Sequence, residues 1–223
     1  MSDYALARRH MVDGQVRTCD VTDLDIIDAM LDTPRELFVP AHKRPLAYLD
    51  LDLDVGDFVD GGAPRRLLKP ATFAKLLQAA EISEGDRVLV VGCASGYSAA
   101  VISHLTPHVF ATEPVAALAD RASELLKSGG YSTVSVSNAP VPAGDPTHAP
   151  FDVILLEGAT EIEPSSLYAQ LKDGGRLIGV FGVSPSSRGE VVTRSPGDFG
   201  SRTVMDASAP VLPGLERPAE FVF

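Results

Sequence analysis

The strongest constraint on the fold is a regular alternation of short β-branched runs with helical stretches over residues 87–181. A helix that connects consecutive strands of one sheet makes those strands parallel, through right-handed crossovers. The sequence therefore predicts an α/β fold with a doubly wound, mostly parallel sheet. The predicted strands are 87–91, 109–112, 133–136, 151–156 and 176–181, and the predicted helices are 97–105, a segment from Pro114 to the stop at Gly129, and 167–171.

The segments on either side of this region carry different patterns. Up to residue 40 the chain is predicted to be mainly helical, with Thr22 as the N-cap of a helix whose apolar residues recur at helical spacing. Pro70 suits the first turn of a helix over 71–80. The tail is predicted to end the sheet with short strands at 190–194, 201–205 and 220–223.

The length and composition of the chain fit a single globular domain. It has 223 residues, of which 45% are hydrophobic and 22% are charged, so it can bury a core of its own. We expect one domain over residues 1–223. In it, an N-terminal helical and extended segment (1–64) precedes the α/β core (65–223).

Charge and hydropathy exclude several classes of function. The chain has 19 basic and 30 acidic residues, a net charge of -11, and an acidic protein repels a phosphate backbone, so no nucleic-acid partner is expected. No uncharged apolar stretch approaches about 18 residues, and the N-terminus lacks the apolar core of a signal peptide. We therefore expect a cytoplasmic protein without a membrane partner. Cys19 and Cys93 are too few for a disulfide framework or a structural zinc site, and no metal site is predicted.

Residues 48–55 hold a strict alternation of leucine and aspartate. This period places the aspartates on one face of an extended segment and the leucines on the other. Asp50, Asp52 and Asp54 have the spacing that opens an EF-hand calcium loop, but the glycine and glutamate that the loop needs further on are absent. We interpret the segment as a strand with a solvated acidic face.

A glycine-containing turn at 92–97 follows the first predicted strand of the core, where ligands bind in doubly wound sheets. It lacks two of the three glycines of the dinucleotide fingerprint and the lysine of a P-loop. Its serine is one place too late for a nucleophile elbow. The spacing that is left, G-x-x-x-G, suits a ligand with an adenosine and no phosphates, and S-adenosylmethionine is such a ligand.

Glu113 is the candidate for binding the ribose of such a ligand. It lies 21 residues after Gly92 and directly follows the predicted strand 109–112. An acidic residue about 20 positions beyond the turn binds ribose hydroxyls in dinucleotide sites. Alternatively, Glu113 stabilises the positive N-terminus of the helix that begins at Pro114, and the two roles are compatible.

Several blocks of the sequence resemble protein-L-isoaspartate O-methyltransferases, over nearly the whole chain. The blocks are Met-Val-Asp-Gly-Gln-Val-Arg at 11–17, Ala-Met at 29–30, Pro-Arg-Glu-Leu-Phe-Val-Pro at 34–40, Gly-Asp-Arg-Val-Leu at 85–89 with Gly92, Ser-Gly-Tyr at 95–97, Phe-Asp-Val-Ile at 151–154 and Leu-Lys-Asp-Gly-Gly-Arg-Leu at 171–177. The Pro-Arg-x-x-Phe-Val-Pro pattern is fairly specific to that family. The last two blocks are shared by many methyltransferases.

The resemblance implies the Rossmann-like fold of S-adenosylmethionine-dependent methyltransferases, with S-adenosylmethionine as the cofactor. It also implies an enzyme that methylates the free carboxylate of isoaspartyl residues in damaged proteins, which starts their repair. The residues expected to hold the cofactor are Gly92, Ala94, Gly96, Glu113 and Asn138. Asn138 falls where the family usually has an aspartate near the adenine, and its amide oxygen can still accept a hydrogen bond from the adenine amino group.

The chain departs from the family at the position of the catalytic serine. Arg-Leu-Leu-Lys-Pro at 66–70 corresponds to the family's Thr-x-Ser-x-Pro, so Leu68 stands where the serine should be and no catalytic residue is assigned. Val90 and Ala94 replace an acidic residue and a glycine of the first motif. Two alternatives therefore stay open. One is a catalytically degenerate module that binds S-adenosylmethionine or regulates; the other is a methyltransferase with a different small acceptor.

A basic cluster flanks this position. Arg65, Arg66 and Lys69 are three cations within five residues of an acidic chain, and we predict that Arg66 and Lys69 hold a substrate anion through charge-assisted hydrogen bonds. The alternative is a solvated basic loop, or one paired with the aspartates at 50–60. Glu157, at the end of the fourth predicted strand of the core, is predicted to contact the methyl acceptor.

Overall fold

The fold is given by a computed structural model, which describes residues 3–56 and 64–218. The α-helices are α1 (Tyr4–Met11), α2 (Leu24–Asp32), α3 (Pro70–Ala80), α4 (Tyr97–Ile102), α5 (Ala116–Ser128) and α6 (Ser165–Tyr168). The strands are β1 (Leu53–Asp54), β2 (Arg66–Leu67), β3 (Val88–Val91), β4 (Val109–Glu113), β5 (Val134–Asn138), β6 (Phe151–Thr160), β7 (Leu171–Phe181), β8 (Arg188–Ser195) and β9 (Asp198–Asp206).

Seven of these strands form one sheet in the order β5-β4-β3-β6-β7-β8-β9. The strands from β5 to β7 run parallel to their neighbours, and β8 and β9 are antiparallel. The chain moves outward from β3 through β4 to β5, then returns to the other side of β3 with β6. This confirms the predicted α/β fold with a doubly wound, mostly parallel sheet.

The central strand β3 shows why this region folds as a parallel sheet. All four of its residues are buried, as expected for a strand covered by packed layers on both faces. Val88 and Val90 belong to the larger apolar core, together with α3 and α4. Leu89 and Val91 belong to a second core on the opposite face. A continuous run of apolar residues thus fills both faces of the sheet at its centre.

The boundaries of several elements differ from the predictions. Thr22 is not the N-cap of α2; Asp23 is, because its carboxylate accepts hydrogen bonds from the backbone N–H groups of Asp25 and Ile26 at 3.0 and 3.2 Å. The strands β6 and β7 are longer than predicted, and β7 begins at Leu171, where a helix was expected. The strand predicted over 220–223 lies outside the described residues.

The alternating segment at 48–55 is not a strand with a solvated acidic face. Only Leu53 and Asp54 pair, antiparallel with Leu67 and Arg66. The carboxylate of Asp52 accepts a hydrogen bond from the backbone N–H of Lys69 at 2.8 Å, and that of Asp50 accepts one from Ala71 at 3.2 Å. These aspartates satisfy backbone donors at the start of α3, where negative charge is favourable. Long-range capping therefore accounts for Asp50 and Asp52, whereas Asp54 pairs with Lys43 and Arg66.

Within residues 3–56 and 64–218, no helix has the length and apolar character needed to cross a membrane.

Replacing Asp23 with alanine is expected to lower the free energy of unfolding by about 1 kcal/mol, because two N–H groups of α2 lose their acceptor. Asp28→Ala is the matched control, since Asp28 is exposed on the same helix and its loss should change stability by less than about 0.5 kcal/mol. Urea denaturation of both variants gives the comparison. Equal losses would contradict the assignment of the cap.

Candidate functional site

The candidate site lies where the order of the parallel strands reverses. β3 pairs with β4 on one side and β6 on the other, and ligands of doubly wound sheets bind beyond the carboxyl ends of strands at such a point. Gly92 directly follows β3, and Glu113 is the last residue of β4. Glu157 lies in β6, where the pairing with β7 shifts register between Leu155 and Ala159.

The turn after β3 is built from residues with left-handed backbone. Gly92, Ala94 and Gly96 have φ angles of +69°, +51° and +94°. Two of these positions hold glycine, which adopts such angles without a steric penalty. Ala94 carries about 1 kcal/mol or more of backbone strain there, and such strain concentrates at binding sites. The turn leads directly into α4, whose N-cap is Gly96.

Glu113 is completely buried and its carboxylate joins the turn to the next helix. Its Oε2 accepts a hydrogen bond from the backbone N–H of Ala94 at 2.9 Å, and its Oε1 accepts one from Val115 at 3.2 Å. Val115 is the N-cap of α5. The structure thus brings Glu113 to the turn at 92–96 and also to the start of α5. Binding of a ribose by Glu113 stays a prediction.

Arg65 belongs to the basic cluster that the sequence singled out, but its contact with Glu113 and the turn was not predicted. Its side chain is 5% exposed and lies between Glu113 and the turn. Nε donates to the Glu113 carboxylate at 3.2 and 3.3 Å, and Nη2 donates to the carbonyl oxygen of Gly92 at 2.7 Å. The basic cluster at 65–69 was its only sequence signal, and that signal pointed to a substrate anion or to the aspartates at 50–60.

The other two cations of the cluster lie elsewhere. Arg66 is partly exposed and its Nε lies 2.5 Å from a carboxylate oxygen of Asp54. Lys69 uses its backbone N–H to bind Asp52 and is the N-cap of α3. Arg66 is thus paired with one of the aspartates at 50–60, whereas Arg65 is not. Contact of Arg66 and Lys69 with a substrate anion stays a prediction.

Asn138 ends β5 beside Glu113, with which it is in register. Its side-chain nitrogen donates to the carbonyl oxygens of Glu113 and Pro114 at 2.8 and 3.1 Å. These two hydrogen bonds use the amide nitrogen, so the amide oxygen is the acceptor that the side chain has left. An aspartate would have no donor for these carbonyls, which is a local reason for the amide at this position.

Glu157 and Leu68 are in direct contact at the carboxyl end of β6. The backbone N–H of Leu68 donates to Oε1 of Glu157 at 3.1 Å. Oε2 of Glu157 has no hydrogen-bond partner among the described residues, and the side chain is 3% exposed. Burial raises the pKa of Glu157, and the N–H of Leu68, the nearby hydroxyl of Ser98 and the cations Arg35 and Arg65 offset only part of this shift.

Arg35, from the Pro-Arg-x-x-Phe-Val-Pro block, connects the N-terminal region to the site. It is fully buried, and it donates to the carbonyl oxygens of Ala47 and Leu68 at 2.9 and 2.8 Å. Its guanidinium carbon lies 4.6 Å from the centre of the Tyr97 ring, at the start of α4. The arginine therefore fixes the segment around Leu68 against the helix that follows the glycine turn.

Neither a reactive thiol nor a cluster of metal-binding side chains is found at the turn, over the described residues 92–97. Cys93 is fully buried, and burial raises the pKa of its thiol, so it packs as a small apolar residue. Across the described ranges, His, Cys, Asp and Glu form no group of three or more that could hold a metal ion.

Comparison with known proteins gives the family. A model of the protein-L-isoaspartate(D-aspartate) O-methyltransferase family matches residues 7–205. The chain is 38% identical over 176 residues to a protein-L-isoaspartate O-methyltransferase of Roseiflexus castenholzii, covering 79% of this chain and 78% of that one. It is 36% identical over 208 residues to the enzyme of that name from Koribacter versatilis, covering 92% and 90% of the two chains.

Two solved structures share the fold. One is a protein-L-isoaspartate O-methyltransferase with a TM-score of 0.78 and 24% identity, which covers 93% of this chain and 66% of the other. The second is a candidate member from Plasmodium falciparum in complex with S-adenosyl-L-homocysteine, with a TM-score of 0.75, 16% identity and coverage of 92% and 97%. With the sequence match over most of its length, the chain belongs to the protein-L-isoaspartate(D-aspartate) O-methyltransferase family.

Proposed function

We propose that the protein is an S-adenosylmethionine-dependent enzyme that methylates the carboxylate of isoaspartyl residues in proteins or peptides. One observation carries the proposal in this chain: the buried carboxylate of Glu113 lies against the left-handed turn at 92–96, at the reversal point of the sheet. Membership in the family gives the reaction, and it favours an enzyme over a degenerate binding module or a small-molecule methyltransferase.

The residues of the turn fit the proposed cofactor in their chemistry. Gly92 and Gly96 place no side chain on this tight turn, Glu113 has carboxylate oxygens to which ribose hydroxyls can donate, and Asn138 has an amide oxygen that can accept from the adenine. The small side chain of Ala94 would let the backbone of the turn lie close to the cofactor. Arg65 occupies part of the hydrogen-bonding capacity of Glu113, so it has to withdraw for the ribose to bind in this way.

The proposed reaction requires little acid–base catalysis by the protein. When bound, S-adenosylmethionine would supply a methyl group on a sulfonium sulfur. A carboxylate acceptor is already ionised at pH 7, so no residue needs to remove a proton from it. The side chains around Leu68 and Glu157 contribute by positioning the acceptor and by excluding water. A methyltransferase can therefore function at a reduced rate without the family's serine.

Glu157 is proposed to face the acceptor, and its protonation state decides whether it can. An ionised Glu157 would repel a carboxylate acceptor, whereas a protonated one can donate a hydrogen bond. Burial favours the protonated form by raising the pKa. Because Oε1 is held by the N–H of Leu68, the carboxyl group stays beside the position where the family has its serine hydroxyl.

The direct test is transfer of labelled methyl groups from S-adenosylmethionine to a short isoaspartyl peptide. We expect base-labile label in the isoaspartyl peptide and none in the same peptide with a normal aspartate. Label that appears equally in both peptides, or in neither while the cofactor binds, would show that the acceptor is of a different class.

Restoring a hydroxyl with Leu68→Ser is expected to raise the transfer rate about 10-fold to 100-fold, the range of a hydrogen bond to a charged group. The variant should also lose about 2 to 5 kcal/mol of stability, because Leu68 is a fully buried leucine. Leu67→Ser is the matched control: it removes a neighbouring buried leucine and should gain no rate. Both are compared at a temperature where they remain folded.

Glu157→Gln should become more stable relative to the unchanged protein as the pH rises. In the folded protein the carboxyl holds its proton more tightly than in the unfolded chain, so stability falls as pH rises from the ordinary pKa of 4.5 through the raised folded value. Glutamine does not titrate and can still accept from Leu68. Urea denaturation over about pH 4 to 8 gives the difference, which should be smallest at the acidic end. A difference independent of pH would contradict the shift.

A further inference from the structure

The space beside the glycine turn is filled by the chain itself. A Cβ atom placed on Gly92 would lie 2.7 Å from Nη2 of Arg65 and 2.9 Å from Cδ2 of Leu212. One placed on Gly158 would lie 2.8 Å from the side chain of Leu212. The missing side chains of these glycines thus make room for Arg65 and Leu212 rather than for open solvent.

Leu212 is held in this space by the backbone of the tail. Its N–H donates to the carbonyl oxygen of Ala159 at 2.8 Å, and the N–H of Ala159 donates to Pro210 at the same distance. Leu212 is fully buried. Residues 210–212 therefore form a fixed wall of the space. Arg65 fills the space with a long side chain that can change rotamer.

Arg65 competes for the atoms that a ribose would use. Its Nε contacts both oxygens of Glu113, which also accept from the backbone of Ala94 and Val115. A carboxylate has about four lone-pair positions, so little capacity is left for two ribose hydroxyls while Arg65 is in place. The two backbone donors keep Glu113 hydrogen-bonded when Arg65 leaves.

We propose that Arg65 is an internal competitor of the cofactor, which keeps the ribose position closed until its guanidinium leaves Glu113. This inference rests on the proposed function, since it concerns the cofactor of that reaction. Binding then occurs only in molecules in which Arg65 has withdrawn, and the apparent dissociation constant rises by the inverse of their fraction. Arg65 in this way sets the affinity of the enzyme for its cofactor without contacting the reacting atoms.

The test is calorimetric titration of the full chain with S-adenosylhomocysteine. Arg65→Ala is expected to bind at least about tenfold more tightly than the unchanged protein, because no guanidinium has to be displaced. Arg65→Gln removes the charge but keeps a polar side chain. If the alanine variant does not fold, the dissociation constant of the glutamine variant tests the same expectation. Circular dichroism and thermal unfolding establish that each variant is folded before it is titrated.

Arg176→Ala is the matched control. Arg176 is a partly buried arginine that pairs with Asp86 at 2.9 Å, near the amino end of β3 and away from the turn, so its loss should leave the affinity unchanged. If the unchanged protein binds and the folded Arg65 variants bind no more tightly, the competition is disproved while the proposed function stands. If neither the unchanged protein nor the Arg65 variants bind, both the competition and the proposed function are disproved.

Discussion

The site depends on the hydrogen bonds that the buried carboxylate of Glu113 accepts. This carboxylate lies at the end of β4 and accepts hydrogen bonds from the glycine turn, from the start of α5 and from Arg65. An ionised group without partners would be very costly at this depth, so the three segments are held in one arrangement by a single acceptor. The same carboxylate is the group proposed to bind ribose, so under that proposal Arg65 and the ligand compete for it.

A second buried cation, Arg35, extends this arrangement to the N-terminal region. It binds the carbonyl oxygens of Ala47 and Leu68 and packs over the ring of Tyr97. Leu68 in turn donates its backbone N–H to Glu157. Thus the Pro-Arg-x-x-Phe-Val-Pro block positions the segment that contains Leu68.

Much of the fold could be predicted because local patterns determine it. The apolar run of β3 indicated a strand buried on both faces, and the turn after it has left-handed backbone at two glycines. Spacing alone placed Glu113 at the turn. The partners of charged residues could not be predicted in the same way. Asp52 caps α3 from 17 residues away, and Arg65 crosses 48 residues to reach Glu113, so these contacts exist only after the sheet and the N-terminal region have packed.

The sequence by itself determined the family, the α/β fold and the position of the glycine turn, because motifs and hydrophobic periodicity are local properties of the chain. The tertiary structure decided which cation of the basic cluster enters the site. Arg65 is buried against Glu113, while Arg66 pairs with Asp54 near the surface. Their sequence positions differ by one residue, but an extended segment directs successive side chains to opposite faces. Only the packing of that segment against the sheet shows which face meets the buried carboxylate.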